Sequence, residues 1–513
     1  MDVLHFLNTK VIGLNYSLAI IPTVLIPLTG LTVIITSLAS IIAGWFGIKL
    51  KAEGPKQLLE VLLKKRVLVS ALVLNFLIIG LYKTYTYAKN LPSPLLFINY
   101  HSQHEAISSN TIYENSYGRI HSYVSPFDLN LRSSANYELK EAWNQKLESG
   151  SVRSGAISGD SIFYGSEDRH INELALDTGK IKRRFYIGTS VTTRPIVYNS
   201  HLFAGEGNHE THHARIYSFD LKSGKFIGAF QTKGHTEGQP LIETYKNETL
   251  LFLVAGKDGL YAISPDTLKE KWHVQDGHVD ATVSIEDGIV YTGTGREKGN
   301  NLDRVYGVAY DFSTGKIKWK TELPISNWMH PIIGSKNVCY ALGEIYFPST
   351  IGLLYCIDKK SGIADFSIPF NAPLIGKSLI LKDQDNEMAI VSSYTGEVCA
   401  VDLIKKIKRW CNKTGNKKTS YALSSADYDP KRNLIWYASL DNGLFAFDVN
   451  SGAMRTHWLP TQSTYKFWNK TLASVTIKED SLYVADIKGI VRKFDIIPLT
   501  VHFTSEPGHT SHW

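Results

Sequence analysis

The chain has 513 residues, 43% of them hydrophobic, with 27 Tyr, 21 Phe, 10 Trp and 39 Gly against 4 Met. Such a length buries a large core, and this aromatic and glycine content favours turn-rich β structure over a helical bundle. A net charge of +7 with no long basic run in the second part of the chain argues against nucleic acid as a partner, and four cysteines are too few for a disulfide scaffold.

Between Tyr16 and Leu50 no Lys, Arg, Asp or Glu occurs before Lys49, more than the ~20 apolar residues a spanning helix needs. The pattern predicts a transmembrane segment over about 16–48. Pro22, Pro27, Gly30 and Gly44 interrupt it, which leaves open one kinked helix or a re-entrant pair. A second apolar run begins at Val67, and Tyr82, Tyr85 and Tyr87 suit an interfacial anchor, giving a span of about 67–87. The loop between them carries Lys49, Lys51, Lys56, Lys64, Lys65 and Arg66 against Glu53 and Glu60. This basic bias places the loop in the cytoplasm and the chain beyond Tyr87 on the opposite side. Residues 1–90 are thus expected to be an integral anchor in a cytoplasmic (inner) membrane, with the remainder facing the periplasm or the exterior.

Beyond this anchor one unit recurs eight times. Its clearest copy is GVAYDFSTGKIKW, with Ala309, Asp311, Thr314, Gly315, Lys316 and Trp319. The other copies centre on Asp177, Asp220, Ser264, Asp358, Asp402, Asp448 and Asp495, spaced 43 to 47 residues apart. That period fits a four-stranded propeller blade, in which Asp bonds the turn backbone and Gly accepts positive φ. Trp272, Trp319 and Trp410, with Phe185 and Phe366 taken as equivalents, fill the wedges between blades. Inner strands precede these units, for example Ala281 to Ile285. The last copy stops at Asp495 without a fourth strand. Tyr137 to Gln145, carrying Trp143, supplies it just before a first inner strand near Val152. The expected fold is an all-β, eight-bladed β-propeller over 137–497, closed by its N- and C-terminal strands and preceded by a transmembrane helical hairpin. Residues 91–136 are expected to be an irregular linker on its exterior, and 498–513 a tail.

These copies resemble the tryptophan-docking repeats of the pyrroloquinoline quinone (PQQ) propeller superfamily over about residues 137–497. The resemblance implies the eight-bladed fold. It spans quinoprotein dehydrogenases and cofactor-free members such as the lipoprotein propeller of the outer-membrane barrel-assembly machine. Quinoprotein alcohol dehydrogenases carry adjacent cysteines over the quinone, whereas Cys339, Cys356, Cys399 and Cys411 are dispersed. No Glu, Asn and Asp set for their calcium ion falls on a matching motif. Cofactors are therefore not expected, with PQQ plus calcium, or a divalent metal, as the alternatives. Cys339 with Cys356, and Cys399 with Cys411, fall on neighbouring strands, so two bridges and four free thiols both stand open.

The connection into each inner strand and the loop between second and third strands open on one face. There GHTEGQP (His235, Glu237) is followed 43 residues later by GHVDATV (His278, Asp280). Arg194 and His330, near the starts of other inner strands, are expected on the same rim. The loop GEGNHETHHAR adds His209, His212 and His213. Imidazole with carboxylate suits a divalent metal, with His209, His212, His213, His235 and His278 as candidate ligands; cationic His and Arg suit an anion. The leading expectation is a binding or scaffold module, not an enzyme, presenting this face to a protein or polysaccharide partner. A quinoprotein oxidoreductase and a metal-dependent hydrolase or lyase are the rivals.

Overall fold

A computed structural model describes Glu114–Asn115, Gly118–Arg119 and residues 136–499, except 151–153, 192, 208–210, 298–301, 345–350, 377, 384, 415–425, 440–442 and 459–473. Both expected membrane spans, and residues 500–513 of the expected tail, lie outside the described residues. Among the described residues no helix is long and apolar enough to cross a membrane. Within the expected linker, Glu114–Asn115 and Gly118–Arg119 pair as a small hairpin.

The described residues form eight antiparallel four-stranded sheets, the blades of one propeller. Blades 1 to 7 each use four consecutive strands, beginning with Ala156–Ser158, Ile196–Tyr198, Leu241–Tyr245, Ser284–Glu286, Ile332–Ile333, Leu379–Lys382 and Asp427–Asp429. Blade 8 takes Thr476–Lys478, Ser481–Ala485 and Ile490–Pro498 from one end of the domain and Tyr137–Lys146 from the other. Closure by shared terminal strands is therefore as the repeat count requires. Two boundaries differ from the sequence expectation. The first inner strand starts at Ala156, and that of blade 4 starts at Ser284 because Thr282, before it, turns its hydroxyl to the Gln239 carbonyl of blade 3 (2.7 Å).

The turn chemistry follows the motif. Asp311 Oδ1 accepts from the Thr314 N–H (3.1 Å) and hydroxyl (2.8 Å), and Gly315 adopts φ +66°. Asp358 and Asp448 do the same with Ser361 and Ser451. The turn then serves the preceding blade. Trp272 donates its indole N–H to the Phe312 carbonyl, Trp319 to Lys359, Trp410 to Val449 and Trp143 to Leu176, at 2.8–3.1 Å. In every case the acceptor lies three residues before the turn glycine, and that glycine lies under the ring. A Cβ on Gly179, Gly315, Gly362 or Gly452 would fall 2.5–2.8 Å from the indole. These glycines are thus required both for positive φ and for contact.

Register identifies the docking residue in blades 1, 2 and 5 and corrects one equivalence. In blade 1 the position four residues after the turn glycine is Arg183, not Phe185. Arg183 donates to the Leu221 carbonyl (2.6 Å), three residues before Gly224, and its guanidinium lies beside that glycine. Phe185, two residues on, packs against Phe219 (5.3 Å) in the same wedge without occupying the docking register. Phe366 does occupy it, under Lys406, whose Nζ lies 4.7 Å from the ring centroid. Between blades 2 and 3 the partners are exchanged. The turn position is Leu268 (φ +53°), donating its N–H to Ser264 O, and the docking position is Gly228, which faces Leu268. The large side chain has moved to the turn and the small one to the strand.

Ring closure at blades 8 and 1 reuses this device and adds others. Trp143 docks on Gly179, and Thr476 donates to the Gly155 carbonyl (3.1 Å). Tyr483, Ala485 and Val491 join Ile157, Ile162, Tyr164 and Leu174 in one hydrophobic cluster. Glu167 belongs to the same seam, its N–H bonded to Gly150 O (3.0 Å). Burial pushes the Glu167 carboxyl up to about 8, against the opposing effect of a bond with Ser149.

Two outcomes are expected. Gly228→Trp and Leu268→Gly should each destabilise the propeller. Combined, they recreate the docking pair of the other blades, so urea unfolding should give a favourable coupling of about 1–3 kcal/mol. Glu167 holds a proton in the folded state between its ordinary value and about 8, so it makes stability fall as pH rises through that window. Glu167→Gln should flatten the melting temperature between pH 5 and 8 and raise it at pH 8.

Candidate functional site

His235 lies in the connection from Phe226–Gln231 of blade 2 to Leu241–Tyr245 of blade 3, and His278 lies in the next such connection. Backbone bridges stitch these connections to the turns between second and third strands. Gly256 exchanges two hydrogen bonds with Val279, and the Gly295 N–H bonds the His278 carbonyl (3.0 Å). Adjacent blades therefore bring the two histidines to one place, as the 43-residue spacing predicts.

Their rings, 5.4 Å apart, converge on one carboxylate. His235 Nε2 lies 2.7 Å from Asp280 Oδ1, and His278 Nε2 lies 2.6 Å from Asp280 Oδ2. His278 Nδ1 bonds Glu297 Oε1, and Glu297 Oε2 is 3.3 Å from Lys257 Nζ. All three central residues are buried, and Trp328 closes the site edge-on to His278 at 5.9 Å. Gly256 (φ +57°) gives clearance, because a Cβ there would sit 2.3 Å from the His235 ring. Glu237, two residues beyond His235, is fully buried, and neither carboxylate oxygen has a hydrogen-bond partner among the described residues.

Burial alone would lower both histidine pKa values. At His278 it is outweighed by the charge of Asp280 and by bonds to Asp280 and Glu297, which hold the imidazole at about 10. At His235 burial is likewise overcome by Asp280, with help from the Glu237 charge and opposition from His278, leaving the value raised. The cluster is a chain of alternating charges in which the carboxylates keep imidazolium stable.

The other expected rim residues divide. Arg194 is buried and donates from Nε to the Gly155 carbonyl (3.2 Å), which also receives the Thr476 hydroxyl. His330 is fully buried with Nε2 at the Ser378 carbonyl (3.0 Å) of the next blade. Both act as latches between blades beside the inner strands. His212 and His213 are on the surface, and His209 lies outside the described residues. The buried acid of that loop, Glu206, accepts from the Tyr217 hydroxyl (2.8 Å) and lies 3.4 Å from Arg215. Glu297, Lys257 and Trp328 were not singled out from sequence. The charged run REKG directly after a second strand, at the place GEGNHE holds in blade 2, is the signal that marks Glu297.

The four cysteines form two bridges, Cys339–Cys356 and Cys399–Cys411, each between residues directly opposite on adjacent strands. Of the two open alternatives, the paired one holds.

Residues 189–327, from the end of blade 1 through blade 4, match the family model described as outer membrane protein assembly factor BamB. Among solved structures, the computationally designed Ika8 protein is similar at 12% identity and a TM-score of 0.52, covering 69% of this chain and 99% of that one. BamB from Moraxella catarrhalis is similar at 13% identity and a TM-score of 0.51, covering 70% of this chain and 100% of that one. No curated protein matches. The likeness to these two structures is one of fold.

Asp280→Ala removes the shared partner of two buried imidazoles. It should cost about 3 kcal/mol or more in urea unfolding at neutral pH.

Proposed function

We propose that this protein is a membrane-anchored, extracytoplasmic scaffold whose loop-bearing face binds a protein partner or an envelope polymer. The observation that carries the reading is the likeness in fold to the whole of a BamB chain, joined to a family match across the blades that build the histidine cluster. A closed ring fixes its loops on a rigid frame, which suits recognition by loops. Two disulfides fit a domain outside the reducing cytoplasm, the side to which the basic 49–66 segment assigns the propeller. The cysteines are committed to bridges in blades 5 and 6, which weighs against the quinoprotein oxidoreductase alternative.

Photocrosslinking groups at Lys257 and His213, on the loop-bearing face, test the reading in intact cells. Ile317 and Met454, exposed beside turns at the opposite rim, serve as controls. A common adduct from the first two positions and none from the controls is expected. Absence of any adduct at the loop face, or reduction of a dye by protein loaded with PQQ and calcium, would overturn the scaffold role.

A further inference from the structure

We infer that His235, His278 and Asp280 form a binding site for one divalent transition-metal ion of the zinc class, independent of the scaffold reading. One donor atom from each of the three lies within 4.8 Å of the others. Two imidazole nitrogens and one carboxylate oxygen are the donor set that zinc takes at ~2.0–2.2 Å, with a position left for water or a ligand group. Both Nε2 atoms already point at one carboxylate, so an ion enters by releasing the Nε2 protons to solvent and moving the Asp280 oxygens from direct contact with the rings.

The surroundings match a metal-binding histidine more closely than an ordinary buried ion pair. Ligating histidines give their second ring nitrogen to a carboxylate, which fixes tautomer and orientation. His278 does so to Glu297, and Lys257 in turn holds Glu297. Asp280, Glu237 and Glu297 place three carboxylates about the two rings, a surrounding of hard and borderline donors that suits a dication. Glu237, fully buried two residues beyond His235 and without a hydrogen-bond partner among the described residues, adds a carboxylate that a cation held by the rings would help to stabilise. The second group of suitable composition, Glu397 with Cys399 and Cys411, is excluded because both sulfurs are in a bridge. Glu297 and the exposed Lys257 mark the side from which an ion reaches the buried donors.

The test uses the full chain in detergent, stripped with chelator and titrated with zinc chloride by calorimetry and with cobalt(II) chloride by visible absorption. One equivalent should bind, with cobalt giving the d–d bands of a low-coordinate nitrogen and oxygen site. His235→Gln with His278→Gln should weaken binding at least 100-fold, whereas His212→Gln with His213→Gln should leave it unchanged. Glu297→Gln, which removes no donor and keeps the shape of the side chain, should weaken cobalt binding about 10–100-fold. It keeps the inference open to refutation if the double variant fails to fold. No stoichiometric cobalt binding by the unmutated protein, or equal affinity in Glu297→Gln, would overturn it.

Discussion

The ring depends on one recurrent contact, which in five of its junctions is a side chain of the fourth strand laid across the turn of the next blade and bonded to a carbonyl there. A blade alone leaves both of its faces open, and its outer strand has a free edge. Packing between neighbours buries the faces, but apolar packing has no direction. The N–H to carbonyl bond of Trp143, Trp272, Trp319 and Trp410 supplies direction, because the indole reaches its acceptor only when the glycine sits beneath it. Each of these four blades is thereby set at one angle to the next. Arg183 supports this account, since it keeps both the bond and the glycine while changing the chemistry of the side chain.

Much of this was legible in the sequence because the repeat lies in residues whose role is local. Asp four residues before Gly marks the turn in four copies, and seven turns at a blade's spacing with an eighth third strand at Asp495 define a ring. The missing fourth strand after Asp495 and the orphan Tyr137–Gln145 segment solve each other. What spacing did not resolve was substitution by function. Phe185 looks like a docking aromatic, but register assigns that task to Arg183, whose guanidinium resembles indole only in being flat and carrying N–H groups. The exchange of Leu268 and Gly228 is invisible for the same reason: each residue taken alone breaks the pattern, and only the pair restores the volume.

The site shows the same division. Two GH-x-acid segments a blade apart had to become neighbours once the ring was granted, and His235, His278 and Asp280 did. Arg194 and His330 shared the position but not the outcome. Their polar atoms reach carbonyls of adjacent blades at Gly155 and Ser378, so they serve the frame. Glu297 escaped notice because its meeting with His278 depends on the backbone bridge between His278 and Gly295, which no spacing in one dimension reveals.

The disulfides lie on either side of a junction that lacks the docking hydrogen bond. Between blades 5 and 6, Phe366 has no N–H to give, and the turn offers Lys406 in place of glycine. Cys339, Cys356 and Cys399 sit in the hydrophobic cluster that Phe366 packs against. One bridge ties the second and third strands of blade 5 and the other ties the third and fourth of blade 6. With cysteines separated by 17 and 12 positions, each restricts the unfolded chain by about 3 kcal/mol in the chain-entropy view. That stabilisation does not itself orient one blade on the next. It keeps each of the two sheets intact on either side of the junction that the cation over the Phe366 ring and the shared apolar cluster bridge.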